Sequence, residues 1–341
     1  MNALRAVGNC NKAKLVIITF FSLIALLACG VMETSEPNNV TFMAGYKPQA
    51  NLPFVATYVA QEKGYFKEHN LEVEILHTTS GDNIQLLMSG DVDITTSDAT
   101  SVLKRRSDPG IPITAFALFG QKGQQGFLSL KSSDFNSPKD WEGKTFGYKF
   151  SQPPEYLAIL ENEKVDRTKI QEVRVGFDPR VLSEGQVDIL AIFKSNEPDT
   201  VRNLGFEVDL WDPADFDVPT LGLTYVTRET DIESEVVEQF LKATMKALEF
   251  TIENRDEAID IVMKYAPEED RDHQKFMLNT EIDDAQSAIT DMNGLGSMTS
   301  NQWESLYGHL IRYGALPKEF DIKSAFTIDV LDQVYKGNKL R

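Results

Sequence analysis

Strand-like and helix-like patterns alternate along residues 40–118. Short apolar or alternating runs, typical of strands, occur at Val40–Ala44, Leu71–His77, Val92–Thr96 and Ile111–Leu118. Apolar residues at helical spacing fill the stretches between them, at Pro53–Lys63, Ser80–Met88 and Ala99–Arg106. Strands separated by single helices of this length predict βαβ units, and therefore a mainly parallel sheet with helices on both faces.

A second series of the same kind follows from Gly126 onwards. Its strand patterns are Phe127–Leu130, Lys144–Tyr148, Glu172–Phe177, Val187–Phe193, Phe206–Trp211 and Leu221–Thr227, with helical patterns at Pro154–Asn162 and Val181–Glu184. From Ile232 the pattern is helical almost to the end, and Glu235–Tyr265 carries one regular apolar stripe. The predicted fold class is α/β in two lobes, because the chain after its N-terminal segment exceeds one ordinary core.

An internal repeat supports two equivalent lobes. The segments Gly90-Asp-Val-Asp93-Ile and Gly185-Gln-Val-Asp188-Ile each follow a helical pattern and precede a strand. The glycine suits a left-handed helix C-cap, and the aspartate stands where the chain enters the sheet. Ordinary helix-to-strand loop chemistry, recurring by chance, is the alternative explanation.

The N-terminal segment predicts export and lipid anchoring. Its basic residues Arg5, Lys12 and Lys14 precede the apolar run Leu15–Ala28, which is shorter than the ~20 residues of a membrane span. The run ends in Leu26-Leu-Ala-Cys29-Gly30, which resembles the lipobox of bacterial lipoproteins. We expect residues 1–28 to be a signal peptide and residues 29–39 to be a tether acylated at Cys29, on the extracytoplasmic face of the cell membrane. An uncleaved N-terminal anchor with an incidental cysteine is the alternative.

The net negative charge of the chain disfavours some classes of binding partner. Cleavage after Ala28 would move the formal charge from −18 to −21, because the charged residues that are removed are all basic. Such an acidic surface repels nucleic acid and polyanionic ligands. Cys10 would leave with the signal, so no cysteine would remain for a disulfide, a thiolate nucleophile or a metal site.

Candidate ligand-binding residues follow the predicted strands, since ligands of open α/β sheets bind beyond the carboxyl ends of the strands. Aromatic rings there offer stacking surface, and amides, hydroxyls and carboxylates can bind a polar edge. The candidates are Tyr46, Asn51, Ser97, Asp98, Gln121, Tyr148, Phe177, Asn196 and Glu197. Any one of these aromatic rings could belong to the core instead, and Asn196 and Glu197 could simply cap the helix that begins near Pro198.

The sequence contains no pattern of a known catalytic or metal site. Its histidines, His69, His77, His273 and His309, have no metal-ligand spacing, and no nucleophile elbow, P-loop or dinucleotide fingerprint occurs. The glycine-rich stretch Phe119–Gly126 follows no phosphate-binding pattern and predicts a mobile crossover. The residues therefore give little support for catalytic machinery, and we expect no cofactor and no metal.

Three stretches resemble the start of the solute-binding proteins of ABC importers: Phe42–Asn51 (FMAGYKPQAN), Tyr58–Glu68 (YVAQEKGYFKE) and Leu71–Glu74 (LEVE). The most similar branch is the one named after thiamine-pyrimidine synthesis, which includes binders of pyrimidine precursors, riboflavin, taurine, sulfonates and nitrate. The resemblance covers roughly residues 40–320.

The resemblance implies a type II periplasmic binding protein fold, with two α/β lobes that close on a ligand. It places the crossovers near Leu118–Gly126 and Pro219–Leu223, with residues 40–120 and 222–341 in one lobe and residues 121–221 in the other. It also implies a monomer that delivers a small molecule to an ABC permease and its ATPase.

The ligand is less defined by the resemblance. Pyrimidine binders of this branch usually carry Asp-Trp and a later Asn-His in the first loop, where this chain has Gly45-Tyr46 and Asn51-Leu52. Riboflavin suits a pocket rich in Tyr and Phe, whereas taurine, sulfonate or nitrate would need arginine or helix N-terminal donors. We therefore expect riboflavin, with a pyrimidine precursor such as formylaminopyrimidine as the alternative. A pyrimidine-synthesis enzyme is disfavoured, because the cysteine cluster and iron-linked histidine of the eukaryotic synthases are missing.

Overall fold

A computed structural model describes residues 36–337 of the chain. The predicted signal peptide, Cys29 and most of the predicted tether lie outside the described residues. Within residues 36–337, no helix combines the length and apolar character that a membrane span requires.

Strands and helices alternate as the pattern predicts. The strands are β1 (Asn38–Ala44), β2 (Leu71–His77), β3 (Ile94–Asp98), β4 (Ile113–Leu118), β5 (Gln125–Leu130), β6 (Thr145–Tyr148), β7 (Gln171–Arg174), β8 (Ile189–Phe193), β9 (Val208–Trp211) and β10 (Leu223–Arg228). The helices up to β10 are α1 (Leu52–Glu62), α2 (Tyr65–Glu68), α3 (Asn83–Ser89), α4 (Ala99–Ser107), α5 (Pro154–Asn162), α6 (Arg180–Ser183) and α7 (Glu197–Asn203). The helices after β10 are α8 (Glu235–Glu253), α9 (Arg255–Tyr265), α10 (Arg271–Ala285), α11 (Ala288–Asn293), α12 (Ser300–Arg312) and α13 (Asp329–Gly337).

The strands form two sheets with equivalent topologies. The first has the order β2-β1-β3-β10-β4 and the second the order β7-β6-β8-β5-β9. In each sheet the first three strands of that order are parallel, and the next strand, β10 or β5, is antiparallel to both neighbours. The predicted two-lobed α/β fold is therefore confirmed, and the lobes are called first and second after these sheets.

The repeated Gly-x-Val-Asp segments occupy equivalent places in the two sheets. Gly90 and Gly185 have φ values of 88° and 71°, a left-handed conformation that glycine adopts without strain. The carboxylate of Asp93 accepts a hydrogen bond from the Thr41 amide at 2.9 Å, and Asp188 accepts one from the Thr145 amide at 2.8 Å. Each aspartate thus joins the start of one inner strand to its parallel neighbour.

The chain passes between the sheets at residues 119–124 and 219–222, and the two segments lie against each other. The Gly222 amide donates to the Gly120 carbonyl at 2.8 Å. A Cβ atom on Gly120 would lie 2.8 Å from the Gly222 Cα atom, so only glycine permits this close approach. Helices α8, α9 and α10 pack with α1 in the core of the first lobe.

Two details differ from the sequence pattern. The apolar stripe of Glu235–Tyr265 is divided between α8 and α9 at Asn254, which has non-helical φ and ψ of −128° and 52°. The Asn254 side chain donates to the Phe250 carbonyl at 3.0 Å and thereby ends α8. Ser97 and Asp98, expected in a loop, are the last residues of β3, because pairing with β10 extends that strand.

Candidate functional site

The carboxyl ends of parallel strands meet at one edge of each sheet. The strands that end at the first edge are β1, β2 and β3, and those that end at the second edge are β6, β7 and β8. We call residues 45–51, 77–82 and 97–99 the first edge, and residues 149–155, 175–180 and 193–197 the second edge. In open α/β sheets this is where ligands bind.

The two edges are joined through Glu281, which lies on α10. Its Oε1 atom accepts hydrogen bonds from Asn51 Nδ2 at 2.6 Å, Gln124 Nε2 at 2.8 Å and Ser195 Oγ at 3.3 Å. Its Oε2 atom accepts from the Leu52 amide at 3.0 Å. Burial raises the pKa of this carboxyl, and these hydrogen bonds act in the opposite direction. One buried side chain therefore contacts the first edge, a crossover and the second edge.

A buried ion-pair cluster adds to this junction. The Lys194 ammonium, on the second edge, lies 2.7 Å from Asp212 Oδ2 and 2.9 Å from Asp284 Oδ2. Asp284 is near the end of α10, and burial raises its pKa to about 6 although Lys194 opposes the shift. Helix α10 thus binds the second edge through a charged pair as well as through Glu281.

A histidine on α10 makes a further contact with the second lobe. His273 Nδ1 lies 2.7 Å from Asp199 Oδ2, and His273 Nε2 lies 3.0 Å from Asn196 Oδ1. Both partners belong to the start of α7, directly after β8. Helix α10 is therefore a bridging element that touches both lobes along its length.

Helices α12 and α5 form another contact between the lobes. The Tyr313 hydroxyl donates to Glu161 Oε2 at 2.6 Å, and the Arg312 guanidinium pairs with the same carboxylate. The hydrogen bond from Tyr313 is the largest cause of the lowered pKa of Glu161. Glu155, at the start of α5, is buried, and burial raises its pKa.

The second edge carries an exposed aromatic surface. Phe150, Phe177 and Phe193 are 71%, 62% and 43% exposed, although large apolar side chains are usually buried. The rings of Phe150 and Phe177 meet edge to face with centroids 5.4 Å apart. We call Phe150, Phe177 and Phe193, which follow or end the three parallel strands, the aromatic surface. Such rings at a strand edge are typical of a site that stacks a flat ligand.

The first edge presents one exposed aromatic ring, that of Tyr46, on a loop held by hydrogen bonds. Tyr46 is 51% exposed, and the preceding Gly45 amide donates to Thr96 Oγ1 at 2.9 Å. Behind this loop the Tyr58 hydroxyl lies 2.5 Å from His77 Nε2. Burial lowers the pKa of His77 to about 4, so its imidazole is neutral at pH 7.

The predicted site residues divide into exposed and buried groups. Tyr46 and Phe177 are exposed at the two edges, and Tyr148 is half-buried at the end of β6. The polar candidates, in contrast, already have protein partners: these are Asn51, Asp98, Gln121, Asn196 and Glu197, and Ser97 is buried within β3. Asp98 caps α4 by accepting from the Ser101 amide at 2.8 Å, and Gln121 Nε2 donates to the Ser297 carbonyl at 2.8 Å.

Sequence reasoning missed several residues of this region. Phe150 and Lys149 follow β6 directly, in a loop from which the sequence analysis selected Tyr148 alone. The strand-edge rule, that ligands bind beyond the carboxyl ends of the strands, could have found them. Glu281 and His273 lie in a helical segment about 80 residues after the second edge, and no sequence signal pairs them with it. Across the described residues 36–337, no three His, Cys, Asp or Glu side chains are grouped to hold a metal ion.

Comparison with known sequences identifies related binding proteins. The NMT1/THI5 like family model matches residues 51–258. The formylaminopyrimidine-binding protein of Halalkalibacterium halodurans is 26% identical over 93% of this chain and 98% of its own. The riboflavin-binding protein RibY of Chloroflexus aurantiacus is also 26% identical, over 92% of this chain and 97% of its own.

One enzyme and one solved structure complete the comparison. The 4-amino-5-hydroxymethyl-2-methylpyrimidine phosphate synthase of Schizosaccharomyces pombe is 30% identical, but over only 33% of this chain and 32% of its own. The periplasmic aliphatic sulphonate binding protein SsuA of Escherichia coli superposes with a TM-score of 0.64 at 12% identity, covering 85% of this chain and 92% of that one. The predicted type II periplasmic binding protein fold is thus confirmed.

Proposed function

Because the chain belongs to the NMT1/THI5-like family, we propose that it is the substrate-binding protein of an ABC importer and captures a flat heteroaromatic vitamin between its lobes. The observation that carries the proposal is the aromatic surface, Phe150, Phe177 and Phe193, on the edge whose Ser195 hydrogen-bonds to Glu281 of the first lobe. Full-length relatives named as binding proteins for riboflavin and for formylaminopyrimidine support the ligand class.

Riboflavin is our first candidate ligand. The aromatic surface spans three phenylalanine rings, two of them in direct contact at 5.4 Å, so it offers room for a fused ring system rather than a single ring. Formylaminopyrimidine remains the second candidate, because its binding protein is as similar to this chain as RibY is. A pyrimidine-synthesis activity has less support, since the synthase matches only a third of the chain.

Identification of the ligand that co-purifies with the protein tests this proposal. The full chain is purified from cells grown in rich medium, and its absorbance and the mass of any released small molecule are measured. A yellow preparation that releases riboflavin supports the first candidate, and a pyrimidine of the formylaminopyrimidine mass supports the second. A protein that carries neither, and that binds neither when each is added, contradicts the proposal.

The cellular location is a further part of the proposal. We propose that Cys29 is acylated and holds the protein on the extracytoplasmic face of the membrane, where it delivers its ligand to a permease and ATPase. The sequence Leu26–Gly30 supports this placement, and stable anchoring requires more than one acyl chain. Replacement of Cys29 by Ser should release the protein from the membrane fraction or leave it unprocessed. Unchanged fractionation together with an unchanged N-terminal mass would contradict the anchoring.

A further inference from the structure

A lysine lies within the aromatic surface of the second edge. The Lys149 ammonium is 4.9 Å from the ring centroid of Phe193 and 5.5 Å from that of Phe177. Its side chain is only 10% exposed, so most of it is shielded from solvent. A cation at this distance interacts favourably with both ring faces. The surface on which a ligand ring would stack therefore has a hydrogen-bond donor next to two of its three rings.

Glu197 holds this lysine in place. One oxygen of its carboxylate pairs with the Lys149 ammonium, and the other accepts a hydrogen bond from the Phe193 amide at 2.8 Å. The Glu197 side chain is buried, and the Lys149 carbonyl accepts from Arg174 Nε at 3.0 Å. Both the backbone and the side chain of Lys149 are thus fixed relative to the ends of β7 and β8.

The pairing with Glu197 affects whether Lys149 binds an anionic or a neutral group of a ligand. The carboxylate compensates the positive charge of Lys149, so this ammonium is not the uncompensated cation that a sulfonate or nitrate ion would require. An ammonium group carries more than one N–H donor, and among the described residues Glu197 is the acceptor that hydrogen-bonds to Lys149. A neutral carbonyl oxygen on a stacked ring could accept a further hydrogen bond from it.

On this geometry, and on the basis of the proposed function, we infer that Lys149 is a specificity-determining residue that donates to a carbonyl oxygen of the ligand. Glu197 is a positioning residue that acts through Lys149. The favoured ligand class is a neutral heteroaromatic compound with a carbonyl oxygen on its ring or on a ring substituent. Riboflavin and formylaminopyrimidine both belong to this class, whereas the deformylated aminopyrimidine does not.

Calorimetric titration of the full chain tests the inference. The probes are riboflavin, formylaminopyrimidine, the deformylated aminopyrimidine and taurine. Hydrogen bonds to charged groups are strong, so Lys149→Met should weaken binding of the carbonyl-bearing ligand about 10- to 100-fold. The same variant should lose the preference for the formylated over the deformylated pyrimidine. Lys169→Met, at an exposed lysine of the same lobe that pairs with Glu142, is the matched control and should bind as the wild type does.

Two further variants separate recognition from folding. Lys149→Met leaves Glu197 without its cation, so the double variant Lys149→Met/Glu197→Gln removes both charges and avoids a buried unpaired carboxylate. It should melt close to the wild type and still lack the preference for a carbonyl. Glu197→Gln alone should reduce that preference, because the lysine is then less firmly held.

The outcomes distinguish the inference from the proposed function. If Lys149→Met and the double variant keep wild-type affinity and preference while Phe177→Ala loses affinity, the inference is wrong and the proposed function stands. If the wild type binds none of the aromatic probes, the proposed function itself fails. Tight taurine binding by the wild type would overturn both.

Discussion

At the scale of single residues, the second edge separates into side chains that are free to contact a ligand and side chains that hold the edge together. Phe150 and Phe177 expose most of their ring surface, whereas Asn196 and Glu197 are bonded to His273 and Lys149. A polar residue at a strand end is therefore not by itself a ligand contact. The exposed aromatic rings are the better indicators, because exposing them has no structural benefit.

Replacing Phe177 by Ala should weaken riboflavin binding about 5- to 150-fold. The reason is that stacking of a base on an aromatic side chain contributes ~1–3 kcal/mol, and Phe177 offers an exposed ring face. Calorimetric titration measures the effect. Phe206→Ala is the matched control, because Phe206 is also exposed but precedes β9 at the other end of the second sheet. Equal affinities for all three proteins would show that Phe177 does not contact the ligand.

Asp284 should make stability depend on pH in a defined direction. Its native pKa of about 6 lies above the ordinary 3.8, so the native chain binds more protons than the unfolded chain between these values. The contribution of this carboxyl to the unfolding free energy is fully present below pH ~4 and is lost as the pH rises through ~6. The unfolding free energy of Asp284→Asn minus that of wild type should therefore increase by roughly 2–3 kcal/mol between pH 4 and pH 7.

Denaturant unfolding at several pH values measures this difference. Asp283→Asn is the control for the substitution itself, because Asp283 is exposed on the same helix. A difference between Asp284→Asn and wild type that stays constant with pH would mean that burial does not shift the pKa of the Asp284 carboxyl.

The strand-edge rule identified residues at the strand ends but not the protein groups that their side chains contact. It selected Tyr46 and Phe177, which are exposed at the two edges. It also selected Asn51 and Gln121, which are held by Glu281 and by the Ser297 carbonyl. Strand ends follow from local apolar patterns, whereas the partner of a polar side chain depends on distant segments that no local pattern specifies.

At the scale of elements, helix α10 connects the first edge to the second edge by side-chain contacts. Glu281 near its centre contacts Asn51 of the first edge and Ser195 of the second, and Asp284 pairs with Lys194. The pattern predicted helix here, but the contacts with the second lobe depend on how α10 packs on the first lobe. The apolar stripe in Glu235–Tyr265 predicted one helix and did not reveal that a local hydrogen bond, from the Asn254 side chain to the Phe250 carbonyl, ends α8.

Replacing Glu281 by Gln should destabilise the protein by about 1–3 kcal/mol. The variant keeps one oxygen acceptor but places an amide donor against donors such as the Leu52 amide, which leaves a buried donor without a partner. Thermal unfolding should show a midpoint several degrees lower. Asp283→Asn, on the exposed face of α10, should melt as the wild type does. A Glu281→Gln variant with an unchanged midpoint would show that this carboxylate does not stabilise the junction.

At the scale of the whole molecule, the chain forms two equivalent α/β lobes whose edges are joined through Glu281. The shared strand order and the paired aspartates Asp93 and Asp188 show that the lobes are built alike. The alternating patterns and the repeat were enough to predict this architecture. The ligand was not predictable to the same degree, since loops determine it and the fold itself hosts many ligands.

The most direct test of ligand capture between the lobes is amide hydrogen exchange of the full chain with and without saturating riboflavin. Ligand bound between the edges should slow exchange in both of them, at residues 45–51 and 97–99 of the first edge and at residues 149–155, 175–180 and 193–197 of the second. Formylaminopyrimidine should protect the same segments if it is the ligand instead. Protection confined to one lobe, protection away from both edges, or no protection by either compound would contradict the account.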